Sequence, residues 1–312
     1  MEESKIPLIA IVGPTASGKT SLAVEICKRI NGEAVSCDSM QIYKGIHIAS
    51  AAPDIEETEG VPHHLIEFLE TNQQFSVADY VRLAREKIKE INSRGKLPII
   101  VGGTGLYISA LLDNIEFLEQ ETDNTLREEL SQKFDTVGGE QMLKELNGFD
   151  PDSAKRLHPN NRRRIIRAFE VFLSSGKTIT EHNLLSKQSE SDLCPLIIGI
   201  NFEDREKLYN RINLRVDLML KNGLLEEAKV NVVNRTKKGA FQAIGHKELY
   251  PYLDGTCSLE EASDNLKMQT RRYAKRQLTW FRRVENVNWF YPDKQDVIKE
   301  ITKLTNKFLK EE

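Results

Sequence analysis

Cysteine is scarce in this chain: four in 312 residues, at positions 27, 37, 194 and 257, with no CxxC spacing. That argues against a disulfide-built secreted scaffold and against a zinc site, and it predicts reduced thiols in a cytoplasmic protein. Long apolar runs are also missing, and none approaches the roughly 18 residues that a membrane helix needs. The N-terminal stretch MEESKIPLIAIVG has acidic early charges and runs straight into a loop motif, which is not the pattern of a signal peptide. A charge excess is lacking as well, with 44 Lys and Arg against 47 Asp and Glu. A net charge of −3 argues weakly against nucleic acid as a partner. There is no internal repeat and no low-complexity linker. What remains is an ordinary globular composition, long enough for one large domain or two modest ones.

The average charge hides local asymmetry. Arg162, Arg163, Arg164 and Arg167 fall within one short stretch, and Lys267 to Arg283 holds seven basic residues and no acidic one. Acidic residues concentrate elsewhere, from Asp54 to Glu59 and from Glu116 to Glu129. Such separation permits an anionic partner on one face.

Ile6 to Val12 is a short apolar run before the loop motif and is predicted to be a buried strand. Leu22, Ala23, Ile26 and Ile30 then recur at helical spacing. EAVSCD ending at Asp38, LPIIVGG from Leu97 to Gly103, LIIGIN from Leu196 to Asn201 and NVNWFY from Asn286 to Tyr291 are further strands. A helical stretch, Val77 to Asn92, precedes the third. Strands alternating with helices predict an α/β fold, a P-loop NTPase-like parallel sheet flanked by helices. Ligands in such sheets bind at the carboxyl ends of the strands, where the loop, Asp38 and Gly102-Gly103-Thr104 would meet. The strand signal disappears after Asp113. The expected organisation is a catalytic core of residues 1–112 plus 194–312, with an all-helical insertion at 113–193. Two helical stretches, Asp204 to Val233 and Leu259 to Val284, follow the fourth strand.

Gly13, Pro14, Thr15, Ala16, Ser17, Gly18, Lys19 and Thr20 fit G-x-x-x-x-G-K-[ST] in full, between a strand and a helix. The glycines let successive amides face phosphate oxygens. Lys19 adds charge, Thr20 offers a hydroxyl to Mg²⁺, and the helix N-terminus adds its dipole. The motif predicts a polyphosphate ligand and nothing narrower. Asp38, beside that site, is a candidate magnesium ligand or general base; an N-cap or structural role is the plain alternative. His63 and His64 are adjacent on an extended segment, so they point to opposite sides and are not expected to share a metal. TRRYAKRQLTWFRR, Thr270 to Arg283, interleaves basic residues with Tyr273, Trp280 and Phe281. The pattern suits phosphate neutralisation and base stacking, and a solvated basic helix face is its plain alternative.

Taken together, GPTASGKT, DSMQIYKG, HHLIEF, VGGTGLY, DPDSAKRLHPNNRRRIIRAFEVF, RINLRVDLML, AIGHKEL and YAKRQLTWFRR resemble the tRNA dimethylallyltransferases, or isopentenyl-tRNA transferases, in order and over almost the whole chain. The resemblance implies transfer of a dimethylallyl group from dimethylallyl diphosphate to N6 of the adenosine 3′-adjacent to the anticodon. It implies that the loop holds the donor's diphosphate, with Mg²⁺, rather than ATP. It implies an enzyme whose helical insertion clamps the tRNA anticodon stem-loop; a monomer with no membrane association is expected. Asp38 occupies the family's general-base position, and Thr15, Lys19, Arg211 and Arg215 complete the expected catalytic set. Either arginine could reach the diphosphate. The tRNA-binding positions implied are Asp38, Ser39, Met40 and Gln41; Thr104; Arg163, Arg164, Ile165, Ile166 and Arg167; Gln242, Ala243, Ile244, Gly245, His246 and Lys247; and, on the basic helix, Arg276 and Trp280.

This chain departs from the family pattern in places. Arg163-Arg164 stands where many bacterial members have Gln-Arg, Ala52 where a lysine is common, and His246 where tyrosine is frequent. These departures bear on tRNA contact more than on the reaction. Three other readings compete: an isopentenyltransferase for free adenine nucleotides, a P-loop kinase, and an RNA-binding protein with a relic loop. The insertion and basic helix argue against the first, and intact Lys19, Thr20 and Asp38 against the last.

Overall fold

The computed structural model describes residues 5–115, 124–186, 191–232 and 240–311. The acidic stretch beginning at Glu116 and the end of the helical stretch at Val233 therefore lie partly outside the described residues.

Six strands form one sheet, and every pairing in it is parallel. In chain order they are β1 (Ile6–Val12), β2 (Gly32–Ser36), β3 (His63–His64), β4 (Leu97–Gly102), β5 (Leu193–Ile200) and β6 (Asn288–Phe290), laid side by side as β3-β2-β4-β1-β5-β6. β1 is central, in register with β4 through Ile9↔Ile99 and with β5 through Ile9↔Leu196. Its sequence IPLIAIV has no polar alternation because helices cover both faces of the sheet, and Leu8 to Val12 are all buried.

The helices of this unit are α1 (Lys19–Ile30), α2 (His47–Ser50), α3 (Ile55–Thr58), α4 (Val77–Ser93) and α5 (Gly105–Leu112). The unit resumes after the insertion. The insertion carries α6 (Asn124–Asn147), α7 (Pro151–Arg156), α8 (Arg162–Ser175) and α9 (Ile179–Ser186). Then come α10 (Arg205–Lys221), α11 (Leu224–Asn231), α12 (His246–Leu253), α13 (Leu259–Phe281) and α14 (Val297–Glu311). The helical stretch expected from Asp204 is cut at Gly223, whose φ of 101° only glycine adopts freely. α4 starts on a capping box between Ser76 and Asp79 and buries Val81, Ala84, Ile88 and Ile91 at helical spacing.

The chain divides into two compact units, one of Met1–Leu112 with Ser191–Glu312 and the other of Asp113–Glu190. The first holds the sheet and a core built on Ile9, Ile11, Ile26, Ile99 and Ile198. The second is helical among its described residues, with its own core of Leu130, Met142, Leu146, Ile165 and Phe169. β3 is absent from the sequence expectation. It is only two residues long and sits at the sheet edge, with no apolar run to mark it.

Candidate active site

The phosphate loop leaves β1 at Gly13. A Cβ there would lie 2.3 Å from the Ile200 carbonyl at the end of β5, and φ is +150°, so the position takes glycine alone. Gly18 caps α1 with φ 92° and supplies no side-chain hydrogen bond, and the first turn holds no acidic residue. The amide end of α1 is thus left for an anion. Lys19 Nζ donates to the Pro14 carbonyl at 2.7 Å, folding the ammonium over the loop. Arg211 Nε donates to the Ala16 carbonyl at 2.9 Å and lies over the Phe202 ring, bracing the loop from outside.

Asp38 faces the loop just beyond the end of β2. Its Oδ1 accepts from the Met40 amide at 2.9 Å, which fixes the carboxylate at the strand end. Beside it, Gly102 and Gly103 close β4. A Cβ on Gly102 would meet the Cys37 carbonyl at 2.1 Å, and one on Gly103 would meet Gln277 Nε2 at 2.1 Å. The paired glycines therefore let β2 and α13 approach the same strand end. Thr104 follows, accepting from the Ser39 amide at 3.0 Å. Gln277, on α13, accepts from the Thr15 amide at 2.8 Å and donates to the Gly103 carbonyl at 3.0 Å.

These parts enclose a cavity of ≈ 330 Å³ bordered by Thr15, Lys19, Thr20, Asp38, Arg215 and Gln277, among others. Burial pushes the Lys19 ammonium down to about 7; Arg215 acts in the same direction and Asp38 against it. Burial likewise raises the Asp38 carboxyl, opposed by the Met40 amide and by Lys19. Burial lowers Arg215, with Asp38 resisting. Two desolvated cations thus face one carboxylate, an imbalance that an arriving anion corrects. A second cavity, ≈ 710 Å³, lies along the outer side of the loop. Lys19, Thr20, Ala51, Arg215 and Met219 border both cavities.

Of the predicted site residues, Ser39, Met40, Gln41, Ala243, Ile244, Lys247 and Arg276 also line the first cavity. Gln41 is already engaged there: its Oε1 accepts from Ser36 Oγ and its Nε2 donates to the Ala51 carbonyl. Arg215, not Arg211, is the arginine that reaches this cavity; Arg211 borders only the outer one. Trp280 is 37 % exposed, its indole N–H bonded to Ser109. Arg163, Arg164 and Arg167 are exposed on α8. The side chain of Gln242 lies outside the described residues.

Some of the predicted tRNA-binding positions lie inside the fold. Ile165 and Ile166 are buried, with their side chains packed in the core of the helical unit. The imidazole of His246 is fully buried, with Nε2 2.8 Å from Glu227. Glu227 also accepts from the Ile48 and Ala49 amides, so His246 buttresses the segment carrying cavity residue Ala49. Gly245, which caps α12, is buried beside it. In the arginine cluster, Arg162 is taken up by Asp135 and by the Ser131 carbonyl.

The sequence reading missed Thr270, Tyr273 and Gln277 as cavity residues. They recur with Leu266 at helical spacing along α13. Polar residues on an otherwise inward face were the available clue. His63 was also missed: its Nδ1 is 2.9 Å from the Val61 carbonyl and it borders the cavity, while His64 turns the other way to Glu33.

A parallel sheet flanked by helices, with a phosphate loop and a half-buried carboxylate bordering one cavity, defines a phosphate-loop α/β protein. The sequence pattern of the IPP transferase family matches residues 41–284. A tRNA dimethylallyltransferase of Thermoanaerobacter sp. strain X514 is 46% identical, with 97% of this chain and 98% of that protein aligned. The structure of a full-length tRNA isopentenylpyrophosphate transferase from Bacillus halodurans superposes with a TM-score of 0.73 at 44% identity, covering 98% of each chain. A eukaryotic dimethylallyltransferase acting on tRNA superposes with a TM-score of 0.84 at 27% identity, covering 98% of this chain and 80% of that one. The chain belongs to the IPP transferase family, the tRNA dimethylallyltransferases, and is a transferase. Among the described residues, no helix is long and apolar enough to cross a membrane.

Proposed function

We propose that this enzyme transfers a dimethylallyl group from dimethylallyl diphosphate to the exocyclic N6 of the tRNA adenosine 3′-adjacent to the anticodon. The observation that carries the reading is a complete phosphate loop facing a fixed, half-buried Asp38 within one cavity, in a chain of this family. Adenine N6 is a weak nucleophile because its lone pair is delocalised into the ring. Asp38, raised by burial, accepts the N6 proton as the C–N bond forms. The breaking C–O bond leaves its electrons on the diphosphate. Lys19, Arg215 and the α1 amide end receive that charge. The loop and Arg215 stand between two cavities, so nucleophile and leaving group have separate approaches, as a displacement requires.

The loop's oxygen donors suit Mg²⁺, a hard cation. The Thr20 hydroxyl borders the cavity, and Ser17 Oγ is buried without a partner. No group of three His, Cys, Asp or Glu suited to a metal occurs among the described residues. Thr20 would therefore share the ion with substrate oxygens and water, and the ion would supply positive charge beside the diphosphate. Arg163 and Arg164 on α8 and Arg276 on α13 are the proposed tRNA contacts. They are exposed and make no ion pair among the described residues.

The test is incubation of the purified protein with dimethylallyl diphosphate, Mg²⁺ and unmodified tRNA, followed by nucleoside mass spectrometry. N6-dimethylallyladenosine is the expected product. ATP hydrolysis or γ-phosphate transfer at enzymatic rates, with the allylic donor untouched, would replace this reading with a kinase. Prenylation of free AMP, with tRNA unreacted, would replace it with a nucleotide isopentenyltransferase.

A further inference from the structure

A separate cavity of ≈ 680 Å³ opens at the carboxyl ends of β5 and β6, between the start of α10 and the last turns of α13. It shares no lining residue with either cavity of the phosphate loop. Asn201, the first residue past β5, borders it and is 7 % exposed, yet its Oδ1 has no protein partner. That oxygen is itself closed off from the cavity surface, so the wall offers a ligand its aromatic faces and its cations rather than this amide. Phe202, Tyr209 and Tyr291 give the walls aromatic faces. The charge of the lining is positive. Lys275 and Arg282 have no carboxylate partner among the described residues. Arg205 lies over the Tyr209 ring and bonds to its hydroxyl. The lone acid, Glu203, is paired with Lys294 at 3.0 Å.

A ligand that fits must carry negative charge for the cations and a flat π-face for the aromatics. A phosphate with a nucleobase has both. The carboxyl ends of parallel strands are also where such folds hold ligands. We infer that this cavity is a second nucleotide-binding site. Its wall is shared with the phosphate loop: Ala16 packs against Leu208 and Ile212 of α10, and Arg211 joins the Ala16 carbonyl to the Phe202 ring. An occupant there bears on the braces of the loop without entering the reaction cavity. The nucleotide can be free in solution or one unit of an RNA chain. The second source rests on the proposed RNA substrate; the first does not.

AMP serves as the probe. The full-length protein is titrated calorimetrically with inorganic diphosphate present in excess, so that the phosphate loop is already engaged. Arg282→Ala and Lys275→Ala, both on exposed side chains, should each weaken AMP binding about tenfold, the size of one charge-assisted hydrogen bond. Photolabelling with 8-azido-AMP should place the adduct on Tyr209 or Tyr291 by peptide mass spectrometry. An anticodon stem-loop RNA titrated into the same variants separates the sources. Weaker RNA binding assigns the site to a nucleotide of the chain; loss confined to AMP assigns it to a free nucleotide. Unchanged affinity for both ligands in both variants, or labels confined to the phosphate-loop cavity, overturns the site. None of these outcomes requires prenyl transfer, so failure of that reaction would be seen separately.

Discussion

Asp38 concentrates the residue-scale argument. The strand end and the Met40 amide hold its carboxylate, burial raises it, and Lys19 and Arg215 keep it from rising further. Asp38→Asn keeps the shape and removes the basicity. The expected outcome is a single-turnover rate lower by about 10²–10⁴-fold, with donor and tRNA dissociation constants nearly unchanged. A variant at wild-type rate would remove Asp38 from the chemistry, and one that lost donor binding would make it a metal ligand. At this scale the sequence was legible where a side chain acts through a motif's fixed backbone, as for Lys19 and Thr20. It was not legible where burial decides. Ile165 and Ile166 sit beside exposed arginines in the chain, yet helical phase turns them inward. His246 follows a buried glycine into a bond with Glu227, a partner 19 residues away that no local pattern announces.

At the scale of elements, two joints fasten the sheet. Glu33 of β2 is 1 % exposed and binds His64 of β3, Arg94 after α4 and Lys96 before β4. Burial works to raise its carboxyl, but hydrogen bonds from Lys96, His64 and Arg94 outweigh it and hold the group at about 2, below the ordinary 4.5. A depressed carboxyl stabilises the fold above its unfolded value and loses that contribution as pH falls from about 4.5 toward 2. Glu33→Gln should therefore cost on the order of 3 kcal/mol at neutral pH, with the gap to wild type closing below about pH 4. Urea unfolding across that range checks it, and a gap independent of pH would show that the cluster acts by packing alone. The second joint is Gln277, which links α13 to the loop at Thr15 and to β4 at Gly103. Gln277→Leu keeps the volume and strands both backbone groups, so about 1–3 kcal/mol should be lost, with weaker donor binding. The denaturation midpoint and the KM for the donor read the two effects. The strands with long apolar runs were legible because both sheet faces are covered. The two-residue β3 and the polar bridge from α13 were not, since pairing across the sheet alone defines them.

On the scale of the whole molecule, the question is how a chain of net charge −3 holds a polyanion. Pairing sorts the basic residues. Arg162 is matched by Asp135, Lys267 by Asp217 at 2.6 Å, and Arg271 by the Asn213 amide at 2.6 Å. Arg163 and Arg164 on α8, and Arg276 at the cavity, have no acidic partner among the described residues. The sequence exposed the two clusters but could not separate their paired members, because Asp135 and Asp217 come from other helices. Cations already matched by a neighbouring carboxylate release few counterions on binding, whereas unmatched ones release about one each. Alanine at Arg163, Arg164 or Arg276 should therefore lower the slope of log affinity for tRNA against log salt by about one unit apiece. Arg162→Ala should leave that slope where it is. Titrations of each variant from low to physiological salt measure the four slopes. Equal slopes for all four variants would show that pairing does not select the contact residues. Unchanged affinity and slope at Arg163, Arg164 and Arg276 would return both clusters to ordinary solvated surface.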